Sequence, residues 1–207
     1  MLTGIVLSGG EGSRMGQEKG LVDLRGDPMV SYVIEAMLES VNEIVISVAK
    51  GHASNYDEYA EIGFEVVEDR TTGTGPVEGI ASALKVARGD YVLVCPCDTP
   101  FLKPGVCAML LSKASGKDGA APIVRKKYEP VHGAFKKGPA TKAFEAVLAI
   151  GKRKPSEAYA KLDMAFIDEP TLRTVDPDLE SFWNVNTLED LRLAERKMIN
   201  LSAGDMD

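Results

Sequence analysis

The feature that most constrains this chain is its opening. A short, mainly apolar run, Leu2–Leu7, stops at a glycine-rich stretch, Ser8-Gly9-Gly10-Glu11-Gly12-Ser13-Arg14-Met15-Gly16. A run of that length bounded by glycines reads as a buried strand, and the pattern recurs. Glu43–Val48, Phe64–Val67 and Tyr91–Cys95 read as further strands. Between them, Pro28–Glu39 puts Met29, Val33, Ala36 and Met37 on one helical face, with Pro28 suited to a first turn. Ser54–Ile62 reads as helical with Tyr56 and Tyr59 three apart, and Pro76–Arg88 turns Ile80, Leu84 and Ala87 inward. Pro104–Ala114 is a further helix.

Strand alternating with helix at this spacing predicts parallel βαβ units with helices on both faces of a sheet. The expected fold is α/β: a Rossmann-like three-layer α/β/α arrangement around a mostly parallel, mixed sheet. The mixture comes from the second half, where Ala120–Val124 and Val131–Phe135 are closely joined through Arg125-Lys126-Lys127 and are expected to pair antiparallel. Thr187, with Asp190 three residues on, caps a final helix in a variant of the capping box. No repeat or linker divides the chain, so residues 1–200 are expected to form one domain and 201–207 a frayed tail.

In sheets of this kind ligands sit beyond the carboxyl ends of the strands. Three features fall there: the loop after Leu7, Asp69 after Val67, and Asp98 after Cys95. The loop is the phosphate candidate, because glycines let backbone N–H groups approach an anion closely. It is not a Walker A motif, since no Gly-Lys-Ser/Thr occurs. Nor does it suit a dinucleotide fold: Met15 stands where a small residue is needed, and Val48-Ala49-Lys50 lacks the acid that binds a ribose. What remains is a glycine loop with two cations, Arg14 and Lys19, a fork and a point charge suited to phosphate oxygens.

Asp98 is the expected metal ligand. Magnesium is a hard ion usually held by one or two carboxylates plus substrate phosphates, and Pro100 stiffens the turn that carries Asp98. The competing reading of Asp98 is a cap for the Pro104 helix. Asp69 competes with an exposed loop acid, and Asn184 and Asn186 with turn formation before Thr187. Cys95, Cys97 and Cys107 lack the spacing of a disulfide framework and read as buried, inert packing in a reducing cytoplasm. The two histidines, His52 and His132, cannot make a multi-histidine metal site; His52 is expected to be exposed and His132 to be structural or a substrate contact. The formal net charge of −7 argues against nucleic-acid or membrane partners. No apolar run approaches the roughly 20 residues of a membrane span, and no signal-peptide pattern opens the chain. The basic clusters Arg125-Lys126-Lys127, Lys136-Lys137 and Lys152-Arg153-Lys154 read by default as solvated faces.

The stretch from Leu7 to Gly16, then Lys19 and Gly26-Asp27-Pro28, resembles the signature of nucleotidyltransferases of the nucleotide-diphospho-sugar transferase fold. Gly75-Pro76-Val77-Glu78-Gly79, Cys95-Pro96-Cys97-Asp98-Thr99-Pro100 and Phe182-Trp183-Asn184-Val185-Asn186-Thr187 narrow the resemblance to the molybdenum cofactor guanylyltransferases. That resemblance implies transfer of GMP from GTP to the terminal phosphate of molybdopterin, with Mg2+ as cofactor and with GTP, molybdopterin and molybdenum-insertion or cofactor-delivery proteins as partners. It implies catalytic roles for Arg14, Lys19 and Asp98, with Asp98 binding both metal and triphosphate. It places Leu7, Ser8, Gly9, Gly10, Lys19, Asp69, Gly75, Gly79 and Asp98 around the nucleotide, and Arg153, Asn184 and Asn186 around the acceptor. Ala49 stands where a relative places a site asparagine. Open alternatives are a transferase using CTP or a cobinamide phosphate, and, in another class, a GTP-binding regulatory or adaptor protein.

Overall fold

The computed structural model describes residues 1–9, 18–73 and 75–204. In chain order the elements are β1 (Leu2–Leu7), β2 (Asp23–Leu24), β3 (Asp27–Pro28), α1 (Met29–Leu38), β4 (Glu43–Val48), α2 (Asp57–Glu61), β5 (Glu65–Glu68), α3 (Pro76–Val86) and β6 (Tyr91–Pro96). Then follow α4 (Pro104–Ala114), β7 (Gly119–Val124), β8 (Lys127–Tyr128), β9 (Gly133–Lys136), α5 (Lys137–Ala149), α6 (Pro155–Tyr159), β10 (Met164–Ile167), α7 (Glu169–Leu172) and α8 (Leu188–Gly204). Short 3-10 turns at Lys19–Leu21, Ala53–Tyr56 and Glu180–Phe182 join them.

The main sheet runs β10-β7-β9-β6-β1-β4-β5, with β8 hairpinned onto β7. β1, β4, β5 and β6 are parallel neighbours. β9 runs against both β6 and β7, which makes the sheet mixed, and β10 is parallel to β7. The expected antiparallel pairing in the second half is present. The strands in the middle of the sheet are apolar on both sides because both faces are covered. On one face α1 and α4 bury Val33, Met37, Val106 and Leu110 against Val6, Ile46 and Leu93. On the other, α3, α5 and α6 bury Ile80, Leu84, Phe144 and Tyr159 against Ile5, Val45 and Val94.

Chain order fixes where a ligand can enter. From β1 the chain moves outward to β4 and β5, then crosses back through α3 to β6 on the other flank of β1. The reversal opens a crevice at the carboxyl ends of β1 and β6. A third cluster lies above this edge: Phe101 stacks on Trp183 at 5.2 Å between ring centres, and Val185 and Ala194 pack with the β2–β3 hairpin. Such ring pairs contribute about 0.5–1.5 kcal/mol beyond their area. This one holds the segment before α8 against the Asp98 turn. The Thr187 cap forms in both directions: Asp190 N donates to Thr187 Oγ1 at 3.1 Å, and Thr187 N donates to Asp190 Oδ2 at 2.9 Å. The helix it starts continues to Gly204. Among the described residues no helix is long and apolar enough to cross a membrane.

Candidate active site

The crevice brings together residues more than 160 positions apart. The turn Lys19–Leu21 directs the Lys19 ammonium to Asp98 Oδ2 at 2.6 Å and to Asn186 Oδ1 at 2.5 Å. Cys97 N donates to Leu7 O at 3.0 Å, tying the end of β6 to the end of β1. Val185 N donates to the main-chain oxygen of Asp98 at 2.8 Å, so the segment before α8 is anchored to the same turn. Asp98 does not cap α4, whose N-cap is Lys103 without a side-chain bond. Its other carboxylate oxygen, Oδ1, is buried and has no hydrogen-bond partner among the described residues. A buried carboxylate oxygen without a partner is costly, and a hard divalent cation is the ligand that suits it. No group of three or more metal-ligating side chains is assembled among the described residues, so such an ion would draw most of its shell from substrate and water.

Asn186 therefore faces Lys19, and its main-chain N–H is held by Asp190 Oδ2 at 3.0 Å. Asn184 lies two residues back, with its Oδ1 buried and without a partner among the described residues. The segment that presents both is fixed from below. Asp176 Oδ2 accepts from Ser181 N at 2.9 Å, Ser181 Oγ accepts from Lys103 N at 2.9 Å, and His132 packs edge-on against Phe182. Burial pushes the His132 imidazole down to about 4, so it is neutral near pH 7 and belongs to the support of this segment.

A second group sits at the ends of β1, β4 and β5. Leu7, Gly9, Asp69 and Gly79 are mutual neighbours: a side chain at Gly79 would stand 2.9 Å from Ser47 Oγ, 3.3 Å from Leu7 and 3.4 Å from Asp69 Oδ1. Gly75, at φ 70°, opens α3 beside the main-chain oxygen of Arg153. The exposed Arg153 is thus brought to the Gly75–Gly79 side of the crevice. Gly10 and Arg14 lie outside the described residues.

Burial, and next the charge of Glu78, push the Asp69 carboxyl up to about 6, against a hydrogen bond from Ser47. The folded chain therefore holds this proton more tightly than the unfolded chain. The stability linked to it is complete below the ordinary value of 3.8 and is lost as pH rises through about 6. Asp69→Asn, which cannot ionise, is expected to melt above the wild type at pH 8, the gap closing as pH falls below the ordinary carboxyl range. A gap independent of pH would assign the effect to something other than the carboxyl charge.

Several contacts at the site were not legible in the sequence. Ser8 Oγ meets Tyr56 OH at 2.5 Å in the core, and Glu18 is bonded by His52 Nδ1 and, at 2.6 Å, by Asn55 Nδ2. His52 is therefore half-buried and paired, not the exposed loop histidine expected. These contacts clamp Ser8 and Glu18, at either end of the glycine loop, to the turn after β4. The clamp is tight at Gly20, where a Cβ would overlap Ser8 Oγ and stand 2.9 Å from Tyr56 OH. Gly20→Ala is expected to cost about 1–3 kcal/mol, the usual range for overpacking, read as a lower urea midpoint. An unchanged midpoint would mean the clamp is loose. The cysteines are buried thiols; burial, then the Asp98 charge, pushes Cys97 up to about 12.

Comparison with known proteins places this geometry. A family model described as MobA-like NTP transferase domain matches residues 4–165. The chain is 35% identical over 193 residues to the molybdenum cofactor guanylyltransferase of Shewanella putrefaciens, covering 90% of this chain and 92% of that protein. It is 32% identical over 198 residues to a probable molybdenum cofactor guanylyltransferase of Methanosarcina mazei, covering 90% and 87%. Among solved structures it resembles molybdopterin-guanine dinucleotide biosynthesis protein A of Archaeoglobus fulgidus, with a TM-score of 0.81 and 28% identity, covering 96% and 99% of the two chains.

Proposed function

The chain belongs to the MobA-like NTP transferase family, within its molybdenum cofactor guanylyltransferases, and on that premise we propose that it transfers GMP from GTP to the terminal phosphate of molybdenum-molybdopterin. The products are the guanine dinucleotide cofactor and pyrophosphate. The observation that carries this reading is the Lys19 ammonium held between Asp98 and Asn186. One cation there spans the triphosphate side of the crevice and the segment assigned to the acceptor.

The bond that forms joins an acceptor phosphate oxygen to the α-phosphorus of GTP; the bond that breaks frees pyrophosphate on the opposite side. The attacking phosphate is already anionic near neutral pH, so no general base is needed. This agrees with a crevice that holds a lysine and an aspartate, and a histidine kept neutral and turned to packing. The barrier is repulsion between anions. Lys19 has three N–H donors; two reach Asp98 and Asn186, and among the described residues none takes the third, which suits a phosphate oxygen. Asp98 Oδ1 is the atom suited to Mg2+, which when bound supplies further charge neutralisation between the two substrates. Asn184 and Asn186 offer donors and acceptors without adding charge to a site crowded with phosphate. Leu7, Gly9, Asp69 and Gly79 border the nucleoside, where Asp69 can accept hydrogen bonds from its polar hydrogens. Arg14 is assigned to the phosphates with Lys19.

The preference for guanine rests on the relatives' names, since Ala49 offers no side-chain hydrogen bond to a base. Isothermal titration of the purified chain with GTP and CTP in Mg2+ tests it. GTP is expected to bind at least tenfold more tightly, a difference of about 1.4 kcal/mol. Equal affinity would reopen the cytidylyltransferase reading.

A further inference from the structure

The Arg125-Lys126-Lys127 cluster has no place in the crevice just described, yet it is built in a costly way. β7 and β8 form a hairpin in which Ile123 faces Tyr128 and Val124 faces Lys127, with Arg125 and Lys126 alone in the turn. Both turn residues have positive φ, 51° and 62°. This is the sign pattern of a two-residue hairpin turn that favours asparagine and glycine. Two long cations occupy it instead, and non-glycine residues held at positive φ cluster at functional sites. Among the described residues no carboxylate lies within ion-pair distance of Lys126 or Lys127. Beside the turn is a cleft of about 420 Å³ lined by Ile123, Lys126, Lys127, Tyr128, Pro130 and Ser156. Tyr128 is backed by Phe166, ring centres 4.6 Å apart, and both rings are exposed.

The cleft lies on the edge of the sheet where the crevice opens. β7 runs parallel to β6, because each pairs antiparallel with β9. The hairpin turn and the Asp98 turn are thus at the same end of the sheet, two strands apart. Two strand spacings amount to roughly 10 Å. That separation suits a ligand that places a phosphate at Lys19 and a rigid ring system at the hairpin.

We infer that the cleft beside the β7–β8 hairpin receives the part of the acceptor beyond its phosphate arm, a fused nitrogen-heterocyclic ring system with anionic sulfur on its edge. This assignment rests on the proposed function for the nature of the acceptor. Tyr128 gives the ring a flat face, and Lys126 and Lys127 give its anionic edge two ammonium groups that have no ion-pair partner among the described residues. Ser156 and the rim of α6 close the other side.

The test is direct binding, with turnover measured separately. Affinity for molybdopterin is read by isothermal titration on the full chain, for wild type, Lys126→Gly, Lys127→Glu and Tyr128→Ser. Glycine suits the positive φ of residue 126, so Lys126→Gly is expected to melt no lower than wild type while losing the cation. Lys127→Glu is expected to weaken molybdopterin binding about tenfold or more, Lys126→Gly and Tyr128→Ser by less, and all three are expected to leave GTP affinity unchanged. Unchanged molybdopterin affinity in folded Lys127→Glu, or no binding by wild type, overturns the cleft assignment. Wild type that transfers GMP while the variants bind normally leaves the proposed function standing and removes the cleft. Hairpin-sensitive binding without GMP transfer does the reverse.

Discussion

Asp98→Asn is expected to lower metal-dependent transfer about 10²–10³-fold, the usual consequence of losing one contact that stabilises developing charge in a transition state. The substitution keeps the size of the side chain and leaves the main-chain bond from Val185 N to Asp98 O untouched. What it removes is the negative charge beside Lys19 and one of the two oxygens that serve Lys19 and a divalent ion. The loss should therefore fall on kcat and on the metal concentration needed for half-maximal rate, with a small change in melting temperature. Normal turnover at ordinary metal concentration would remove Asp98 from the reaction. A collapse of stability with a normal rate per folded molecule would reassign it to structure.

Lys19→Met is expected to be at least as damaging, about 10²–10³-fold in kcat/KM, because the lost cation touches both halves of the site. It leaves Asp98 Oδ2 and Asn186 Oδ1 without their donor. Affinity for GTP and for the acceptor should both fall, whereas Asn186→Ala should affect the acceptor alone. Lys19→Arg should rescue poorly, since a planar fork cannot replace a compact ammonium held between two fixed oxygens. Because Lys19 and Asp98 act as one unit, the double variant should lose much less than the product of the single losses. Additive losses would show that the contact between them has no part in the rate.

The first half of the fold was readable because each strand there is a buried parallel strand and each helix carries its own apolar stripe. Leu2–Leu7, Glu43–Val48 and Pro104–Ala114 have the bounds the sequence implied. The convergence of the Leu7 loop, Asp69 and Asp98 on one edge followed from parallel connectivity alone. The second half hid more. Ala140, Ala143, Phe144 and Val147 do follow a helical period in α5, but its start, Lys137-Gly138-Pro139, reads as a loop. β10 is short, and its strand character comes from pairing with β7 some 45 positions earlier. At the site, Lys19, Asp98 and Asn186 were individually visible as residue types. The clamp of Ser8 by Tyr56, the Glu18 contacts to His52 and Asn55, and the rise of the Asp69 carboxyl beside Glu78 all depend on neighbours that only tertiary packing supplies. Arg153 illustrates the same point: its cluster was visible, but not its position beside Gly75.

The central claim is that the crevice between β1 and β6 joins GMP to a pterin phosphate. The most direct test supplies purified chain with Mg2+, molybdopterin, and GTP or CTP, and follows pyrophosphate together with the nucleotide-bearing product. The account predicts pyrophosphate from GTP in step with formation of a guanine dinucleotide, and little from CTP. Consumption of CTP in preference to GTP, or GTP binding with no pyrophosphate released, would contradict it.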